Sequence, residues 1–416
     1  MDINNFLAIA ELVLQSFLVA IFSPIFWIIV VVIYFQYNRI SRQKEEMFGI
    51  KEKLGLKHTL TAAAHGVLGG LVGSFLMVFM GVSLSGIGIQ FLWLLAIMLL
   101  LISPRFICFA YAGGIISLSN IIFGFPEVDV PMLIGLVAIL HMVESVLILV
   151  SGHLGALPLY TKLADGRIVG GFNLQKFWPI PLIALALMVV PDPQVVSGVG
   201  MPDWWPLIKP NIEGDPNNFI YQIFPVAAAL GYGDLALTQR PKEKSRKTAL
   251  LLGSYSMALL GLAVLASHFS LLMLLPALFS PLGHELVIKL GRDEEFKGEP
   301  KYVAPPQGVM VLEVLSGSIA QKIGLKTGDI ILNINGFPVN SNRQLAEVMY
   351  WGGTGLELEY IDSNSNKFNR LYTRKSFHDQ LGIIPVPGED ENNYAVLSTQ
   401  GFISRWWERR KNKGEK

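Results

Sequence analysis

The chain has 416 residues, of which 52% are hydrophobic and only 16% charged, and its mean hydropathy is +0.47. Ordinary soluble domains run nearer a quarter charged, so the apolar excess argues for membrane spans rather than one large water-facing domain. The formal net charge of +1 gives no case for nucleic acid, and the single cysteine, Cys108, excludes a disulfide framework and a thiolate metal site within one chain.

A membrane-crossing helix needs about 20 mainly apolar residues. Nine segments meet or approach this: 17–36, 62–82, 87–103, 106–123, 131–151, 177–190, 219–237, 248–266 and 269–288. The composition therefore predicts an α-helical polytopic bundle over residues 1–290, with about nine spans and a range of seven to ten. The run from Phe17 to Phe35 is too long for a signal-peptide core, and no small-x-small cleavage site follows it, so a retained span is expected. Alternatively, residues 3–16 form an interfacial helix, or Pro24 breaks the first segment. The sixth segment is short, and the seventh contains Pro225, Gly231, Gly233 and Asp234.

Loop charge sets the expected orientation. Arg39, Arg42, Lys44, Lys51, Lys53 and Lys57 lie after the first span, Lys162, Arg167 and Lys176 after the fifth, and Arg240, Lys242, Lys244, Arg246 and Lys247 after the seventh. A nine-span count puts all three loops on one face, together with Arg105, Lys289 and Arg292. The other face carries Glu127, Asp129, Asp192, Asp203, Glu213 and Asp215. The N-terminus is then outside, and everything after Ile288 is cytoplasmic.

Within the spans, His141 and Glu144 stand three residues apart and share a helix face, with His65 and Asp234 as partner candidates. Ionisable groups at membrane depth suggest function, here a proton relay or a cation site, against the alternative of hydrogen bonds that fix the bundle. Gly66, Gly69, Gly70 and Gly73 give two Gly-x-x-x-Gly spacings, which permit close helix contact within the chain or at a homo-oligomer seam.

After about residue 290 the character changes. Residues 291–302 read as a polar linker. From 303 to 384, strand and turn signals alternate: Val309 to Val314, a short helix at Ser318, the turn Gly328-Asp329, the strand Ile330 to Ile334, the helix Asn342 to Tyr350, and a hairpin of Leu356 to Ile361 with Phe368 to Thr373. This order, with Gly308-Val309-Met310-Val311, Gly324-Leu325, Lys326-Thr327-Gly328-Asp329 and Ile334-Asn335-Gly336, resembles a bacterial-type PDZ domain. The resemblance implies peptide binding beside the strand Val309 to Val314. Gly308, Val309 and Met310 would then form the carboxylate loop, Val311 would continue the strand edge, and Leu345, Val348 and Met349 would form the helical wall. The alternative is that these three helix residues pack the domain's own core.

Enzyme motifs are incomplete. His284-Glu285-Leu286-Val287-Ile288 lacks the second histidine of His-Glu-x-x-His, and no serine-protease nucleophile motif occurs. No enzyme activity, cofactor or metal is expected. The tail, 385–416, carries Trp406, Trp407, Arg409 and Arg410, a pattern suited to an anionic inner leaflet or to a solvated basic end. Many spans, then one PDZ domain with Leu381-Gly382-Ile383 just beyond, and no surviving protease motif, resemble the MinJ family of cell-division topological determinants. The resemblance implies a septal and polar membrane adaptor linking DivIVA to MinD. The competing functions are an inactive site-2-protease-like or proteolysis-adaptor protein, and a proton-coupled transporter using His141 and Glu144.

Overall fold

The structure is a computed structural model and describes residues 3–50, 55–190, 198–211, 218–376, 379–388, 391, 394 and 395. Among the described residues, its first part has six helices long and apolar enough to cross a membrane. These are α1 (Ile3–Phe22), α2 (Pro24–Phe48), α3 (Gly55–Met80), α6 (Val130–Ser151), α7 (Pro241–His268) and α8 (Leu274–Lys297). The expected first span is two helices: Ser23 caps α2 by accepting from the Phe26 N–H, and Pro24 occupies its first turn.

The nine-span expectation is corrected at four further segments. Residues 87–103 and 106–123 hold α4 (Ile89–Ile102) and α5 (Phe109–Phe123), helices of 14 and 15 residues joined by the 3-10 turn Pro104–Ile107. At 1.5 Å per residue they rise only about 21–23 Å, short of a hydrocarbon core of about 30 Å. The Asp129 N–H donates to the Gly86 carbonyl, so α4 and α6 begin at one level. The α4–α5 hairpin therefore turns back beside the middle of α6 and α8, where Cys108 meets His141 and His284.

Residues 177–190 and 219–237 are not helical. They belong to β2 (Ile168–Val189) and β3 (Phe219–Ala236), which pair antiparallel from Phe172–Ala236 to Val189–Phe219; β1 (Leu157–Lys162) lies on the other side of β2. Pro179 and Pro181 each remove a helical donor and clash with the preceding turn, and Pro225, Gly231 and Gly233 act against helix in the partner.

A strand within an apolar bundle must still satisfy its backbone. The edge of β2 that meets α3 does so residue by residue. Tyr37 Oη accepts from the Phe177 N–H at 3.2 Å, Ser74 Oγ from Ile183 at 2.9 Å, and Ser83 and Ser85 Oγ from Leu187 at 3.1 and 2.9 Å. Pro179 and Pro181 have no N–H to satisfy. Their carbonyls lie against α3, where a Cβ on Gly66 or Gly70 would come within 2.0 Å of the Pro179 or Pro181 oxygen. Gly69 and Gly73 face Leu147 and Val143 of α6, so the two glycine spacings serve two contacts inside one chain.

The second part is a sheet of order β8-β7-β5-β4-β9, with β6 paired to β5. Its strands are β4 (Val309–Val314), β5 (Ile330–Ile334), β6 (Phe337–Pro338), β7 (Gly355–Ile361), β8 (Phe368–Arg374) and β9 (Ile383–Pro385). The helices are α9 (Ile319–Lys322) and α10 (Asn342–Trp351), and Ser318 and Ser341 cap them. The core is Val309, Val311, Ala320, Leu325, Ile331, Ile334, Val339, Leu345, Met349, Leu356, Leu358, Tyr360 and Leu381.

The two parts are packed together rather than tethered by the expected linker. α8 continues to Lys297, the Lys301 N–H donates to the Leu237 carbonyl at 2.8 Å, and buried Tyr302 accepts from the Gly170 N–H at 2.8 Å. Lys44 of α2 pairs with Glu313 at 2.9 Å, and Tyr160 Oη donates to the Pro385 carbonyl at 2.6 Å. The C-terminal domain thus sits at the end of the bundle where α2 and α8 finish and α7 begins.

Candidate peptide-binding site

A peptide that adds to a sheet needs a strand with unpaired backbone groups. β4 does not offer one. It pairs with β5 through Val309–Ile331 and Met310–Ile330, and with β9 through Val311–Pro385, Glu313–Ile384 and Val314–Ile383. The expected groove edge is therefore an interior strand. Val309 and Val311 are core residues, and Met310 packs toward the bundle. Gly308 has φ +88°, and a Cβ there would lie 2.6 Å from the Ile331 carbonyl, so its glycine serves close approach to β5 rather than to a ligand. Its N–H donates to Asn340 Oδ1 at 2.9 Å. On α10, Leu345 and Met349 are buried core, and Val348 is partly buried against them.

The edge position belongs to β9, which has one partner strand. It follows directly on Leu381-Gly382-Ile383. Gly382 has φ +77°, and a Cβ there would meet Ser318 Cβ at 2.3 Å, so both conformation and space require glycine. The Ala320 and Leu315 N–H groups donate to the Leu381 and Gly382 carbonyls at 2.9 Å, which fixes the loop against α9 and the end of β4. Asn342 at the start of α10 donates to the Val386 carbonyl at 3.1 Å. β9 and α10 thus form the two sides of a candidate groove. The signal was in the sequence as an apolar-Gly-apolar triplet, but it stands some 70 residues after the strand to which the groove was assigned.

On the far side of the sheet, Glu359 accepts from Asn333 and pairs with Arg370, and those two contacts hold its carboxyl below the usual range. They join β7 to its two neighbours, β5 and β8, and lie away from β9.

The polar residues expected to meet in the membrane separate into different settings. His65 Nδ1 is 2.7 Å from the Thr61 carbonyl on its own helix. Asp234 lies on β3, where Thr248 Oγ1 donates to it at 2.7 Å and Lys244 Nζ stands 3.5 Å away. Lys244 also pairs with Glu295 at 3.4 Å and donates to the Gly291 carbonyl at 2.8 Å. Glu295 accepts from the Leu237 and Thr238 N–H groups at 2.6 and 2.9 Å. This buried network joins β3, α7 and α8. His141 turns instead toward α5 and α8, with its Nε2 2.9 Å from Cys108 Sγ. Glu285 accepts from Tyr111 Oη at 2.6 Å and pairs with Arg105 at 3.3 Å. Trp406, Trp407, Arg409 and Arg410 lie outside the described residues.

A bundle of long apolar helices with a small sheet domain at one end defines a membrane protein carrying a PDZ domain. The family model described as "PDZ domain" matches residues 282–355, from within α8 to the start of β7. The chain is also 25% identical over 405 residues to the cell division topological determinant MinJ of Bacillus subtilis (strain 168), across 90% of this chain and 95% of that protein.

Proposed function

We propose that this chain is a non-enzymatic membrane adaptor of cell division, which holds division regulators at septum and poles through a cytoplasmic PDZ domain. The similarity to MinJ along nearly the full length, bundle and PDZ domain together, carries this reading. Charge supports the orientation. Lys44, Lys176, Arg240, Lys242, Lys244, Arg246 and Lys247 belong to the end of the bundle that bears the PDZ domain, and basic residues favour the cytoplasmic face. A partner's extended segment adds to β9 and lies along α10. By resemblance the partners are DivIVA and MinD, and the basic tail rests on the anionic inner leaflet.

A fluorescent fusion at native expression, combined with deletion of the gene, tests this. Septal and polar fluorescence is expected, and the deletion should give minicells or filaments. Even fluorescence around the membrane with normal division would reject the proposal.

A further inference from the structure

Three helices bring Cys108, His141 and His284 to one point in the bundle, with one ligand atom from each all within 4.8 Å of one another. Cys108 Sγ is 2.9 Å from His141 Nε2 and 3.5 Å from His284 Nε2. We propose that these three residues form a zinc site, a function distinct from the adaptor reading and independent of it.

The donor set suits the ion. Bonds of about 2.3 Å to sulfur and 2.0–2.1 Å to nitrogen, at a tetrahedral angle, separate ligand atoms by roughly 3.3–3.6 Å. The two sulfur–nitrogen spacings, 2.9 and 3.5 Å, need only small side-chain shifts. One thiolate and two neutral imidazoles favour zinc over the oxygen-seeking divalent ions. No fourth His, Cys, Asp or Glu joins the group among the described residues, so the fourth position is left for water or another small ligand.

The proton position on His141 leaves its second nitrogen open to a metal. His141 Nδ1 stands 2.7 Å from the Val137 carbonyl, which can only accept, so Nδ1 carries the proton and Nε2 points its lone pair at the sulfur. Without a metal the thiol would donate to His141 Nε2 and accept from a His284 Nε2–H, whereas a cation would take a lone pair from all three atoms, and the loading experiment below separates the two. Cys108 also caps the 15-residue α5, with the Ala110 N–H 3.5 Å from its sulfur, which holds the side chain at the start of that helix. Zinc binding would replace the Sγ–H bond by Sγ–Zn and release one proton.

The surroundings are built to hold this geometry. Ser280 Oγ donates to the Ala110 carbonyl at 2.8 Å, and Tyr255 Oη donates to the Ser280 carbonyl at 2.7 Å. A Cβ on Gly114 would meet Pro281 at 2.4 Å, so α5 and α8 can approach only because that residue is glycine. The turned-back α4–α5 hairpin is what carries Cys108 to the middle of α6 and α8. The expectation of no thiolate metal site counted cysteines alone and sought the second histidine at position 288. The second histidine stands instead on α6.

The test uses full-length protein in detergent, carried on a tag without histidines, loaded with Zn²⁺ and then gel-filtered. About one zinc per chain is expected by elemental analysis. Cys108→Ala and the double variant His141→Ala/His284→Ala should lose at least tenfold of it, while His65→Ala retains it. Cobalt in place of zinc should give a thiolate-to-metal charge-transfer band in the wild type, absent in Cys108→Ser. Monodisperse wild-type protein that takes up no zinc would overturn the site, whatever the variants do. So would uptake undiminished in the variants, or cobalt binding without the thiolate band.

Discussion

At the scale of single residues, the tightest constraints are backbone contacts that exclude any side chain. Gly66 and Gly70 are the clearest, because the atoms a Cβ would strike are main-chain carbonyl oxygens of β2, which cannot rotate away. Gly66→Leu or Gly70→Leu should therefore cost at least the about 1–3 kcal/mol typical of overpacking, seen as a fall in the detergent melting temperature. Gly261, also helical, has nothing within 4 Å of its added Cβ, so Gly261→Ala should be neutral or gain up to about 1 kcal/mol. Lys244 poses the opposite case, a buried cation held between Asp234 and Glu295. Removing one partner strands the other charges, so Lys244→Ala should destabilise by about 3–5 kcal/mol. Combining it with Glu295→Gln should recover part of that loss in the same melting assay. Equal losses that simply add would show the pair to be uncoupled.

At the scale of elements, the β2–β3 pair and β9 carry the least expected features. Apolar windows record composition but not period, and Phe177-Trp178-Pro179-Ile180-Pro181 is as apolar as a span. The two prolines, two residues apart, are the local sign of a strand, because they withdraw donors from the edge that meets α3. The long helices α3, α6, α7 and α8 were legible, being long apolar runs bounded by charge or glycine. The short α4–α5 hairpin was legible as helix but not as a turn beside the middle of α6 and α8, since its depth depends on what it packs against. In the PDZ domain the elements could be read in order, but strand neighbours could not. β4 looked like an edge because its second partner, β9, arrives after a further hairpin. Gly382→Val tests the reassignment. With φ +77° and Ser318 in the way, the substitution should displace β9 and lower partner capture by the full-length protein tenfold or more, while membrane insertion stays normal. Leu345→Ala should instead act mainly through stability, by about 2–5 kcal/mol, because that side chain is 8% exposed and lies in the core.

At the scale of the whole molecule, polarity is the argument. One end of the bundle gathers the basic segments and the PDZ domain: Lys44 reaches Glu313, Arg240 Nη2 donates to Asn364 Oδ1 at 2.7 Å, and Tyr160 reaches Pro385. The other end gathers Asp129, which accepts from the Asn211 N–H at 2.7 Å, and the segment around Trp205, whose indole N–H donates to the Val78 carbonyl at 2.9 Å. The basic end should face the cytoplasm, and the single, part-buried cysteine makes this directly measurable. Lys367→Cys places an exposed thiol in the β7–β8 turn, and Asp203→Cys places one at the opposite end. A maleimide that cannot cross membranes should label Asp203→Cys in intact cells and Lys367→Cys only after lysis, with the wild type as the blank. Labelling of Lys367→Cys in intact cells would put the PDZ domain outside, where no cytosolic division protein could reach β9. Because the domain is bonded to α2, β1 and α7 rather than tethered, such a result would invert the bundle as well, and the acidic end would then be the one facing the cytoplasm.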